Sequence, residues 1–70
     1  MTNKIRLERA ILDVSQAELG SMIQVSRQTI NAIEGGEYNP SAILTLKLAS
    51  VFNKHVTDLF ELEESDWDCD

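Results

Sequence analysis

The sequence predicts an all-α domain of five short helices, and three observations carry that reading. Ser15, Ser26 and Ser41 each stand just before an apolar segment with helical spacing. There a serine oxygen can accept from an amide of the first turn that lacks an intrahelical partner. No stretch of six or more residues alternates cleanly with period two, so strands are not expected. Turn residues recur at short intervals with neither an internal repeat nor a Ser/Gly linker, and 70 residues make one domain at most.

The first helix is expected from about Asn3 to Leu12, with Ile5, Leu12 and the stem of Arg9 inward, and Asp13-Val14 breaks it. Ser15 then caps a second helix, Gln16 to Ile23, and Glu18 three residues on completes a capping box. Leu19, Ile23 and, at the margin, Met22 face inward. Gln24-Val25 leaves room only for a sharp turn. Ser26 opens a third helix, Arg27 to Glu34, with Ile30 and Ile33 as its buried stripe and Gly35-Gly36 as its end. After the loop Glu37-Tyr38-Asn39-Pro40, Ser41 caps a fourth helix from Ala42 to Phe52. Its apolar residues, from Ile43 to Phe52, cover more than half its circumference, as suits a central helix. Asn53 closes it. Thr57 is expected to cap a short fifth helix bearing Leu59, Phe60 and Leu62, and Glu63 to Asp70 to fray.

Composition narrows the function. A hydrophobic fraction of 43% suits a globular chain. No apolar run approaches the ~20 residues that span a bilayer, no signal peptide is visible, and the lone Cys69 cannot form an internal disulfide, which favours the cytosol. His55 and Cys69 lack zinc-site spacing, and no nucleophile–base pairing or Gly-rich phosphate cradle is seen. Neither a metal, a cofactor nor an enzyme activity is expected. The net charge of −6 lies wholly in residues 61–70, leaving residues 1–60 neutral. A neutral body permits contact with phosphates without predicting it.

The informative unit is Gln16 to Glu34. Counting Gln16 as one, apolar residues fall at four (Leu19), eight (Ile23), ten (Val25), fifteen (Ile30) and eighteen (Ile33), with Gly20 at five. A larger side chain at Gly20 would hold the two helix axes apart. This is the spacing of a helix-turn-helix, whose second helix enters the DNA major groove with its N-terminal residues at the base edges.

The string Val25-Ser26-Arg27-Gln28-Thr29-Ile30-Asn31-Ala32-Ile33-Glu34-Gly35-Gly36, with Tyr38-Asn39-Pro40-Ser41 after it and Ser15-Gln16-Ala17-Glu18-Leu19 before it, resembles the phage-repressor (Cro/CI, or XRE) family of helix-turn-helix regulators. Val51-Phe52-Asn53 and Asp58-Leu59-Phe60 are similar to that family's last two helices, so the resemblance covers about residues 3–62. It implies a five-helix lambda-repressor-like DNA-binding domain over residues 1–62, with an acidic tail at 63–70. It also implies roles. Gln16 bonds a phosphate and braces the recognition helix. Ser26, Arg27, Gln28 and Thr29 open that helix toward the groove, where Arg27 can pair with guanine and Gln28 with adenine. Ala32 could touch only a thymine methyl, whereas Asn31 reaches phosphate. Amides near Asn39 and the helix start at Ser41 hold a second phosphate. Arg9 and Glu34 match a pair that forms a structural salt bridge. Three positions depart from the pattern: Gln24 replaces a turn glycine, Glu8 a common leucine, and Glu37 a frequent lysine or arginine.

Each feature has a plainer reading. Alone, Arg27, Gln28, Thr29 and Asn31 describe a solvated helix face, and Gln16 an exposed first-turn residue; the surrounding spacing favours contact with DNA. The tail reads as a solubilising extension, or else competes with DNA or docks a protein partner through Trp67 and Leu62. The expected function is sequence-specific regulation, simplest as repression, by a homodimer on an imperfect palindrome of double-stranded DNA. The dimer is argued from the small core and would meet around Leu59, Leu62 and Trp67. The alternative is a protein-binding module on the same fold, an antitoxin-like partner or anti-repressor, for which Glu37 and the acidic tail speak.

Overall fold

The computed structural model describes residues 1–68; Cys69, and with it the reading of that cysteine, lies outside the described residues. Five helices follow one another, α1 (Ile5–Leu12), α2 (Gln16–Ile23), α3 (Arg27–Glu34), α4 (Ala42–Phe52) and α5 (Val56–Leu59). Three of them start where a serine dictates. The Ser15, Ser26 and Ser41 hydroxyls accept from the amides of Glu18, Thr29 and Leu44, and the Glu18 carboxylate returns the bond by accepting from Ser15 N–H.

The helices also stop alike. Asp13, Gln24, Asn53 and Gly36 all take positive φ, and beyond Asp13, Gly36 and Asn53 paired amides reach back to the last carbonyls of the helix. Only at Gly36 is that conformation free of steric cost.

Two departures from the expected pattern have one origin. A short antiparallel pairing joins β1 (Thr2–Asn3) to β2 (Phe60–Glu61), with Thr2 opposite Glu61 and Asn3 opposite Phe60. It draws Asn3 out of α1, where its Oδ1 instead accepts from Ile5 N–H, and it draws Phe60 out of α5. Hence α5 is only four residues long, its N-cap is His55 without a side-chain bond, and Thr57 lies inside it and caps nothing. Within the described residues, the segment from Glu64 to Asp68, expected to fray, carries local structure. Glu64–Trp67 forms a 3₁₀ turn, and the Met1 ammonium donates to Glu63 Oε1 at 2.7 Å and lies 2.8 Å from Asp66 Oδ2. These contacts raise the pKa of the Met1 amine and lower that of Asp66, in each case chiefly through the hydrogen bond the two share.

The core is built from Ile5, Leu19, Ile23, Ile30, Ile33, Leu44, Leu48, Ala49, Phe52, Leu59 and Phe60. Leu12 does not join it, being 46% exposed, and Met22 likewise faces solvent. On α1 only Ile5 is buried, with Glu8 and Arg9 half-buried beside it. On α4 the buried face is narrower than its composition suggests, because Ile43 and Leu46 point outward. Among the described residues no helix is long and apolar enough to cross a membrane.

Candidate nucleic-acid interface

Gly20 lets the turn that joins α2 to α3 lie close against α2. A Cβ there would stand 2.5 Å from the Val25 carbonyl oxygen, so the turn can fold back over α2 only because that atom is missing. Gln24 makes the turn itself, at φ 65°. Ile30 and Ile33 pin the inner side of α3 to the core, which leaves Arg27, Gln28 and Asn31 exposed on its outer side. Gln16, at the start of α2, closes a shallow cleft with these three.

A buried ion pair holds this arrangement from behind. Arg9 on α1 presents Nε to Glu34 Oε2 at 2.7 Å and Nη2 to Oε1 at 3.2 Å, and its Nη1 donates to the Val14 carbonyl. One guanidinium thereby ties α1, the α1–α2 turn and the end of α3. The Glu34 side chain is 1% exposed and that of Arg9 17%. Burial alone would raise the Glu34 pKa. The bonds from Arg9 and Gln16, with the positive charges of Arg9 and Arg6, outweigh it and hold the carboxyl below the usual glutamate range.

Gln16 Nε2 donates to Glu34 Oε1 at 3.0 Å and to Asn31 Oδ1 at 3.3 Å, so Gln16 is bound to α3 at two points. Ser26 and Thr29 spend their hydroxyls on each other and on the helix cap. Ala32 is half-buried, Asn39 exposed, and Ser41 engaged in capping α4. Leu59, expected at a dimer contact, is 1% exposed; it packs in the core and cannot serve as surface. Leu62 and Trp67 are exposed.

Two contributors carried no signal in the sequence. Asn3 Nδ2 donates to the Ile33 carbonyl at 2.8 Å and anchors the chain start to α3. Arg6 lies 3.7 Å from Glu34 and adds charge to the buried pair. Both depend on contacts between segments far apart in the chain.

A packed helix pair with a short turn, an exposed polar leading edge and an arginine–glutamate tie behind it define a helix-turn-helix protein of phage-repressor type. The chain belongs to the helix-turn-helix family, whose model matches residues 5–59. It is similar to YgzD of Bacillus subtilis, an uncharacterised HTH-type transcriptional regulator, with 45% identity over 91% of this chain and 97% of that protein. A second uncharacterised HTH-type regulator, from Methanocaldococcus jannaschii, is 41% identical over 94% of this chain and 100% of its own length. Among solved structures, the P22 c2 repressor in complex with a synthetic operator superposes with a TM-score of 0.74 at 31% identity, covering 77% of this chain and 82% of that one.

Proposed function

We propose that the chain is a DNA-binding transcriptional repressor that acts as a homodimer on an imperfect palindrome. The observation that carries this reading is the outer side of α3: Arg27 and Gln28 stand exposed at its leading edge while Ile30 and Ile33 fix its inner side. Helix α3 enters the major groove. Arg27 pairs with guanine and Gln28 with adenine, each worth ~1–3 kcal/mol of discrimination. The first-turn amides of α4 after Ser41, and the backbone near Asn39, hold a phosphate. The similarity to a repressor that has been solved on its operator supports the same mode here.

The dimer is argued from size, because a single eight-residue recognition helix covers too little DNA for specific affinity. With Leu59 buried, the contact moves to what is exposed. One surface is the apolar groove lined by exposed Ala42 and Leu46 with half-buried Pro40 and Val56, and Leu62 and Trp67 offer another. Two copies then present their α3 helices ~34 Å apart, one turn of the duplex.

Selection from a random duplex pool, followed by binding at several salt concentrations, tests the proposal. The expected result is one preferred palindromic site and a log–log salt slope near ~−0.9 per neutralised phosphate. Arg27→Ala should abolish the preference without moving the melting temperature. If wild type shifts no duplex at low salt, the reading fails, and a protein-binding role favoured by the acidic tail and exposed Glu37 takes its place.

A further inference from the structure

Two exposed surfaces of this chain are both apolar and opposite in charge. The exposed residues of α1 are Arg6, Leu7, Ala10, Ile11 and Leu12, a cation and four apolar side chains with no acid among them. Leu7, Ala10 and Ile11 stand at i, i+3 and i+4, so they share the side of the helix turned from the core, where Ile11 is 67% exposed. Lys4, just before the helix, lines an open depression with Arg6, Leu7 and Ala10, and it has no ion-pair partner among the described residues. Glu34 also borders that depression, but its carboxylate is taken by Arg9. A helix with apolar residues on its outward side as well as its inward one is ordinarily covered on both.

The end of the chain is the counterpart of this surface. Leu62 and Trp67 are exposed, Trp67 to 73%, and the exposed charges around them that Met1 does not bind are Glu61, Glu64 and Asp68, all acidic. Two such ends cannot meet across a twofold axis without setting acid against acid. Nor does the end cover its own α1. Lys4 N–H donates to the Leu59 carbonyl, Asn3 lies opposite Phe60, Thr2 lies opposite Glu61, and Met1 is bound by Glu63 and Asp66. The chain therefore runs antiparallel past β1 and away from α1.

We propose that the Leu62–Trp67 end of one copy docks on the outer side of α1 of another copy. Leu62 and Trp67 meet Leu7, Ala10 and Ile11, and the acids of the end lie beside Lys4 and Arg6. The contact rests on the homodimer proposed above and separates its two candidate surfaces. The uncharged groove of Ala42 and Leu46 can meet its like across a twofold axis, whereas the acidic end requires a different, basic patch. A contact between unlike patches leaves one of each open on the next copy, so it joins dimer to dimer.

Trp67 is the only tryptophan of the sequence, so its emission reports the contact. As concentration rises, sedimentation should show species larger than a dimer while Trp67 emission moves to shorter wavelength. Ile11→Lys should weaken this association about tenfold or more, and Ile43→Lys, the same change at an exposed isoleucine of α4, about twofold or less. All the altered side chains are exposed, so the core is untouched. Ile11→Lys retains the end and lacks the α1 patch; Trp67→Ser does the reverse and has no tryptophan. Titrating the second into the first should therefore restore the emission shift, because one intact pair of patches is regained. A dimer whose Trp67 emission stays that of a solvated ring, a shift that survives Ile11→Lys alone, or no shift in the mixture overturns the docking and leaves the twofold dimer standing. A monomer at every concentration overturns the homodimer itself, and this contact with it.

Discussion

At Gly20 a single missing methyl group decides how closely the following turn can approach α2. The site lies inside α2, where alanine is intrinsically favoured over glycine by ~1 kcal/mol. Against that, an added Cβ would stand 2.5 Å from a backbone oxygen of the following turn, which cannot rotate away as a side-chain tip could. Overpacking of this kind costs ~1–3 kcal/mol. Gly20→Ala is therefore expected to destabilise by a net ~1 kcal/mol in urea unfolding, and Gly20→Val by more, because β-branching adds bulk without the helical gain. The Arg9–Glu34 tie obeys a different balance. Because the Glu34 pKa is depressed in the folded state, its contribution is present above the unfolded carboxyl value of ~4.3 and is lost as pH falls through the lower folded value. Unfolding free energy should thus drop between about pH 4 and the folded pKa of Glu34, and less steeply in the Arg9→Met, Glu34→Met double variant, which exchanges the pair for apolar side chains. An equal acid slope in both proteins would show that other carboxylates carry it. The pairing of these two residues could be expected from the family resemblance. The engagement of Gln16 with both Asn31 and Glu34 could not, since it depends on side chains that α2 and α3 bring together from 15 and 18 residues apart.

Among the elements, α2, α3 and α4 begin and end where their local chemistry says they should. Each has a serine oxygen at its start and a left-handed residue just beyond its end. Such signals are local, and so legible in sequence. The ends of the chain are governed otherwise. Lys4 N–H donates to the Leu59 carbonyl, and Asn3 pairs with Phe60, so the start of α1 and the end of α5 are set by a partner more than fifty residues away. No pattern within either segment announces a two-residue strand, and Thr57 resembles a cap in composition alone. Left-handed closures offer a direct test. Gln24 pays for a Cβ at φ 65° in the turn that aims α3. Gln24→Gly removes that strain, ~1 kcal/mol or somewhat more, and returns part of it through the greater freedom of the unfolded chain. A gain of about 0.5 kcal/mol in denaturant unfolding is expected, with site preference unchanged because the turn keeps its course. A loss of stability would mean that the Gln24 side chain makes a contribution which the backbone argument omits.

At the scale of the whole molecule, charge and length act together. The excess of −6 sits at one end of the sequence, and the longest dimension is 37 Å. At ~0.01 M salt the Debye length is ~30 Å, and at physiological salt ~8 Å. Under the proposed function, an acidic segment would oppose a duplex mainly during approach and mainly at low salt, whereas Arg27 would act at contact, where screening matters less. Rate and affinity should separate accordingly. Glu63 and Asp66 are committed to the Met1 ammonium; among the described residues that leaves exposed Glu61, Glu64 and Asp68, of which Glu64 and Asp68 lie in the tail and are the ones to neutralise. Glu64→Gln with Asp68→Asn is expected to raise the association rate on the selected duplex by about two- to tenfold at ~0.01 M salt, and to leave it unaltered at ~0.15 M. Dissociation should not change at either concentration. Arg27→Ala should do the reverse, speeding dissociation at both. Stopped-flow measurements on the two variants distinguish steering from direct competition. A tail that folded over α3 and occupied its basic side chains would be held by close pairs, so neutralising it would improve affinity at ~0.15 M as well. That outcome would make the acidic end a competitor for the recognition face, and the balance between tail and duplex, not the duplex alone, would then set occupancy.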